Sequence, residues 1–190
     1  MKLFYYDSET TGLDEKRHAI TQMAGIIVID GVEKERFDIK MSPDEGQEVE
    51  ESALVIQGKT RKEIEAYPSS NDGYIALKTI MARYVNQYDK TDKFFMVGYN
   101  VKFDEGFLRT LFSRKNDKYF GSWFWNPAID VMSIAGAVLA KYRAELPRFN
   151  LEVVADYLHI TTDGNLHDAA ADIDITRKVF LGVADQFFKE

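Results

Sequence analysis

Between Ile20 and Ile39 the chain reads as strand, turn, strand. Ile20 to Ile29 is rich in β-branched residues, Asp30-Gly31 is a two-residue turn signal, and Val32 to Ile39 alternates. Asp and Gly tolerate the positive φ values that a tight hairpin turn requires, so the two runs are expected to pair antiparallel. Ahead of them, Leu3 to Tyr6 is a short unbroken apolar and aromatic run ending in Asp7-Ser8-Glu9. Such a run fits a central strand buried on both faces, with its acids at the strand tip. Any sheet built from these segments therefore starts with three antiparallel strands.

The remainder alternates helical and strand signals. Short helical pieces are expected over roughly Ser52 to Ala66, and Pro68 to Asn71 leads into a helix through Tyr84 or Tyr88. Phe94 to Gly98 reads as another buried strand, passing through Asn100 into a helix from about Phe103 to Phe112. Pro127 to Ile129 precedes a helix through about Tyr142, a shorter helix covers Leu151 to Leu158, and the last runs from Asp168 to Phe187. The order βββ, α, βα, βα, α implies an α/β domain: a mixed sheet, its first three strands antiparallel, flanked by helices. Ligands in such sheets gather at the C-terminal ends of the strands. With 190 residues, 45% of them hydrophobic, and no linker or repeat, residues 1–190 are expected to form a single domain.

Composition narrows the chemistry. There are no cysteines, which removes disulfides, thiolate metal sites and a cysteine nucleophile, and leaves oxygen and imidazole ligands for any metal. A net charge of −7 argues against a broad basic surface for duplex DNA but permits a local groove. Basic residues gather at Lys102, Arg109, Arg114, Lys115 and Lys118 and again at Lys141, Arg143 and Arg148, a scatter that also fits a solvated face. No secretion signal and no apolar run near the roughly 20 residues of a membrane span is present, so the protein is expected to be cytoplasmic, without a membrane partner.

Certain acids break the apolar pattern, and a buried charge is costly unless paired or bound to metal. Asp7 and Glu9 are two apart and leave one strand face together, although a D-x-E also fits an ordinary turn. Asp104 falls within the inward stripe of Phe103, Phe107, Leu108 and Leu111, although an acid at a helix start also fits a cap. In the last helix Ala169, Ile173, Thr176, Phe180, Val183 and Phe187 form the buried face, with Asp172 at its edge and Asp174 pointing away. His167 and Asp172 are five apart, about 140° of rotation on an ideal helix. His167 is thus expected just before the helix, with Asp168 as its cap. If these acids converge, each ionised pair at 4 Å repels by about 4 kcal/mol at an effective dielectric of 20. Divalent cations relieve that repulsion, and oxygen ligands suit Mg²⁺ or Mn²⁺.

Taken in order, DSETTGL at Asp7 to Leu13, NVKFD at Asn100 to Asp104 and HDAAAD at His167 to Asp172 resemble the DEDDh subgroup of 3′-to-5′ exonucleases, which includes the proofreading epsilon subunit of bacterial DNA polymerase III. Weaker echoes are SALVIQGKT from Ser52, PAIDVMSIA from Pro127 and NLEVVADYL from Asn150. The resemblance spans nearly the whole chain and implies an RNase H-like five-stranded mixed sheet. It implies that Asp7, Glu9, Asp104 and Asp172 converge on two Mg²⁺ or Mn²⁺ ions, Asp7 bridging both, with His167 as general base. It further implies a terminal nucleotide held among Ser8, Thr10, Gly12, Leu13, Ile56, Asn100 and Phe103, with Leu13 and Ile56 against the base; both of these also read as minor core residues. Ser8 stands where Thr is common, Gln57 where His or Asn is usual, and Lys59 where Ile is usual. None of the three is an implied metal ligand.

The expected activity is removal of nucleoside 5′-monophosphates from the 3′ end of mainly single-stranded DNA, in repair, replication or degradation, with a polymerase or repair protein as a further partner. The chain ends soon after its final helix, so an epsilon-type polymerase-binding extension is not expected, and oligomeric state is open. The competing readings are an RNA-trimming or oligoribonuclease-type enzyme and a noncatalytic nucleic-acid-binding module. His18 and His159 read as structural or surface residues, and Trp123 and Trp125 as loop or core packing.

Overall fold

The computed structural model describes residues 1–161 and 168–187. Its first three strands are β1 (Lys2–Thr10), β2 (Ile20–Ile29) and β3 (Val32–Lys40). They pair antiparallel as expected, and the hairpin turn places Asp30 at φ 50° and Gly31 at φ 81°. β4 (Phe95–Gly98) joins β1 in parallel and β5 (Ile129–Asp130) joins β4 in parallel, giving a five-stranded sheet in the order β3-β2-β1-β4-β5.

β1 is central because both of its faces are apolar. Phe4 and Tyr6 enter an aromatic-rich core with Phe94, Phe112, Phe120, Trp123 and Phe124. Leu3 and Tyr5 enter an aliphatic core with Ile26, Val97, Val154, Ile173 and Val179. The strand is longer than its apolar run: ladder pairing with β2 continues through Asp7↔Ala24 and Glu9↔Gln22 to Thr10. The acids therefore lie inside the strand rather than in a turn beyond it, because β2 supplies an equally long antiparallel partner. At the outer edge the Phe37 ring crosses β2 over Gly25, where a Cβ would stand 2.4 Å from the ring.

Eight helices are described. The expected helical stretch near residues 52–66 is two pieces, α1 (Glu51–Gln57) and α2 (Arg61–Glu65), separated by Gly58 at φ 64° and a Thr60–Glu63 capping box. α3 (Ser70–Ala82), capped by Ser69, stops short of Tyr84. Beyond it the Lys2 ammonium binds the Tyr84 carbonyl and Asp92, and Asp92 accepts the Asn86 amide, so side chains replace the helical ladder. α4 (Val101–Arg114) is longer than expected, and α5 (Phe120–Trp123) was not anticipated. α6 (Val131–Val138) gives way to a 3₁₀ segment, Ala140–Glu145, instead of continuing to Tyr142. α7 (Leu151–Tyr157), capped by Asn150, and α8 (Ala169–Phe187) complete the fold. α3 and α4 cover the aromatic core, whereas α6, α7 and α8 cover the aliphatic one. Among the described residues no helix is long and apolar enough to cross a membrane.

Candidate active site

The period of a strand sends Asp7 and Glu9 to the face of β1 that α8 covers. The first turn of α8 brings Asp172 there, and one carboxylate oxygen from each of the three residues lies within 4.8 Å of the other two. Asp168 fixes where that helix begins. Its side chain accepts the Ala170 amide at 3.0 Å, and its carbonyl accepts those of Ala171 and Asp172. Asp174 points the other way, as expected, and pairs with Arg36 of β3 at 2.7 Å. Arg177 of the same helix pairs with Glu33, so two ion pairs tie α8 to the edge of the sheet.

Asp104 sits in α4, only 3% exposed, among the inward-facing residues of that helix. The helix N-cap is Asn100, whose side chain makes no capping hydrogen bond. Asp104 instead reaches across to β1: its Oδ1 accepts the Ser8 hydroxyl at 2.7 Å and the Ser8 amide at 3.0 Å. Ser8 thereby commits its hydroxyl proton to a carboxylate.

Burial dominates the electrostatics. It pushes Asp7 well above the usual carboxylate range, and the charges of Asp104, Asp172, Glu9 and Asp168 push it further. Glu9 rises to about 8 from burial and then from Asp172, Asp168 and Asp104, with Lys59 opposing. Burial also raises Asp104 to about 7 against the two Ser8 hydrogen bonds, which favour its charged form. Acids so raised hold protons near neutrality or require a cation. The clustered oxygens of Asp7, Glu9 and Asp172 fit a hard divalent cation, since such a donor set is anionic and all oxygen.

Beside the acids an open cavity of about 250 Å³ is lined by Ser8, Glu9, Thr10, Gly12, Leu13, Ile56, Gln57 and Phe103, among others. Leu13 is 80% exposed and Ile56 61%, so neither is a core residue. The wall of the cavity is tied together locally. The Thr10 hydroxyl donates to the Gly12 carbonyl at 2.8 Å, and Gln57 Nε2 donates to the Thr10 carbonyl at 2.7 Å. Gly12 rests on the buried His18 ring so closely that a Cβ would stand 2.4 Å from it. His18 is 3% exposed and links its own loop to the residue that precedes α1: its Nδ1 accepts the Asp14 amide, and its Nε2 lies 3.1 Å from a Glu50 carboxylate oxygen.

Asn100 is not among the lining residues. It is exposed at φ 59°, and its amide donates to Asp130. His167 lies outside the described residues. Several of the basic residues are locally engaged: Arg109 pairs with Glu105 and lies over the Phe120 ring, and Lys115 pairs with Asp44. Trp123 is core, while Trp125 packs between Phe95 and Lys93. Sequence reasoning missed the Ser8–Asp104 contact, the stitching by Gln57 and the Asp168 charge beside Glu9. The first two join residues dozens of positions apart, which no local pattern reports.

A mixed RNase H-like sheet with carboxylates gathered beside the C-terminal half of its central strand defines a class of nucleases. The family model of the RNase T exonucleases matches residues 4–180, and the chain belongs to that family, as a DEDDh-type metal-dependent exonuclease domain. Among solved structures, E. coli exonuclease I in complex with a dT13 oligonucleotide superposes with a TM-score of 0.73 at 21% identity, covering 99% of this chain and 41% of the other. The zinc-bound exonuclease I–ssDNA complex from E. coli gives 0.75 at 21% identity, covering 99% and 43%. Cell-death related nuclease 4 gives 0.74 at 14% identity, covering 97% and 64%. The chain thus spans about two fifths of the exonuclease I chains it matches. Comparison with curated proteins gives no match.

Proposed function

We propose that the chain, as a single exonuclease domain over residues 1–190, hydrolyses phosphodiester bonds stepwise from the 3′ end of single-stranded DNA and releases nucleoside 5′-monophosphates. The carrying observation is the meeting of Asp7, Glu9 and Asp172 within 4.8 Å beside a cavity whose apolar side chains, Leu13 and Ile56, stand exposed. An acid cluster alone is common; one flanked by a nucleotide-sized, partly apolar recess suits the end of a strand.

Asp7, Glu9 and Asp172 would hold one Mg²⁺ or Mn²⁺ ion, with Asp7 shared with a second ion that Asp104 supports. Bound there, two such ions supply charge stabilisation to the attacking and leaving oxygens of the phosphodiester. The chain's own groups do the rest. His167 takes the proton of the attacking water, the role for which an imidazole is suited near neutral pH. Leu13 and Ile56 would flank the terminal base, with Thr10, Gly12 and Phe103 lining the same recess. Structures of exonuclease I with oligonucleotides support the choice of single-stranded DNA.

Matched 5′-labelled DNA and RNA oligomers with Mn²⁺ or Mg²⁺ test this reading. A ladder shortening from the 3′ end, accompanied by mononucleotides and faster on DNA, is expected. Faster trimming of RNA would transfer the site to an RNA-processing enzyme. Internal cuts, or binding without cleavage, would refute the reading.

A further inference from the structure

The parallel pairing of β4 with β1 runs only from Leu3 to Tyr5, and β4 ends at Gly98 before the chain turns into α4. Beyond that point β1 has no strand on this side among the described residues. The Ser8 amide is consequently not taken into a ladder there, and Asp104, arriving on the first turn of α4, accepts it at 3.0 Å. The Ser8 hydroxyl donates to the same oxygen, Oδ1, at 2.7 Å, and both bonds are buried. A carboxylate has two oxygens, and two donors converging on one of them fix its rotation as well as its position.

We propose that Ser8 is the positioning residue of Asp104, clamping Oδ1 from the strand so that Oδ2 is the oxygen left for a cation. This rests on the assignment of Asp104 to the metal site. It gives Ser8 a role distinct from touching the nucleotide. Ser8 lies between Asp7 and Glu9 in sequence but on the opposite strand face. A single three-residue stretch of β1 thus carries two acids on one side and, on the other, the donor that orients a third.

The test compares Ser8→Ala, Ser8→Thr and Asp104→Asn by calorimetric titration of Mn²⁺ in the presence of a nucleoside monophosphate, alongside steady-state cleavage of single-stranded DNA. Loss of an orienting partner to a metal ligand typically costs about 10- to 100-fold in metal affinity or activity. Ser8→Ala should weaken Mn²⁺ binding and lower kcat by roughly that factor, with KM for the oligomer within about twofold of wild type. Ser8→Thr keeps the hydroxyl and should restore both quantities to within about threefold. Wild-type Mn²⁺ affinity and kcat in Ser8→Ala would overturn the proposal, as would a rise in KM alone, which would return Ser8 to substrate contact. Unchanged Mn²⁺ binding in Asp104→Asn would instead overturn the metal assignment on which it stands.

Discussion

On one face of β1, Asp7 and Glu9 point at α8 and meet another carboxylate; on the other, Ser8 points at α4 and gives Asp104 two hydrogen-bond donors. The acids are half-buried on the first face and buried on the second, and desolvation raises those on each. The difference lies in what answers the burial. On one side, around Asp7, neighbouring acids add to the effect of burial, and on the other, around Asp104, hydrogen bonds from the protein oppose it. A buried acid is thus informative through its partners rather than through its burial alone.

The strongest way to break this comparison is Asp7→Asn. The substitution removes the ligand proposed above to be shared by both ions, and cleavage should fall below detection. In the metal-free protein it also removes an acid whose ionised form burial and neighbouring carboxylates disfavour, so the melting temperature should stay the same or rise by a few degrees, with about 1 kcal/mol corresponding to 2–4 °C at this size. Cleavage assays paired with melts in EDTA check both halves. Retained cleavage, or a fall of several degrees, would make Asp7 an ordinary structural acid.

Leu13→Ala sharpens the contrast from outside the acids. With the side chain 80% exposed at the mouth of the cavity, its loss should spare folding and Mn²⁺ affinity. Covering a leucine side chain against a base is worth about 1.5–3 kcal/mol, so kcat/KM on single-stranded DNA should drop about tenfold or more. Unaltered kcat/KM would leave the cavity without a part in nucleotide binding.

The smallest effect concerns pH. Glu9 near 8 and Asp104 near 7 lie above their ordinary values of 4.5 and 3.8, and Asp7 is raised as well. Between those ordinary values and the raised ones the folded protein binds more protons than the unfolded chain, so metal-free stability falls as pH rises. The fall should run through about pH 8, where Glu9 is half-deprotonated. Glu33 and Asp92 are shifted downward and act only at more acidic pH. Melts at pH 5, 6, 7 and 8 should show a declining metal-free curve, and saturating Mn²⁺ should lift its neutral end most. A metal-free curve that climbs toward pH 8 would contradict the raised acids.

Much of this architecture was legible in the chain because its signals are local. Asp30-Gly31 announces the hairpin, and the unbroken run at Leu3 to Tyr6 announces a strand apolar on both faces. Asp104 was visible as an acid interrupting an apolar stripe. What escaped depends on tertiary company. α5 spans only four residues and is held by Phe120 and Trp123 entering the aromatic core, with no periodicity to reveal it. The end of α3 is decided by Lys2 and Asp92, neither of which belongs to the helix. Ser8 gave no sign of its partner 96 positions away. The exposure of Leu13 and Ile56, which the sequence left balanced between core and surface, required the fold to decide.

The His18 ring has a mechanical consequence. It supports Gly12 from below and stands beside Glu50, the residue from which α1 departs. The Glu50 amide also donates to the Thr11 carbonyl, and Gln57 at the far end of α1 holds the Thr10 carbonyl. The loop that carries Leu13 and the helix that carries Ile56 are therefore one jaw rather than two. The separation of their exposed apolar side chains is therefore tied at both ends by the protein's own packing and hydrogen bonds.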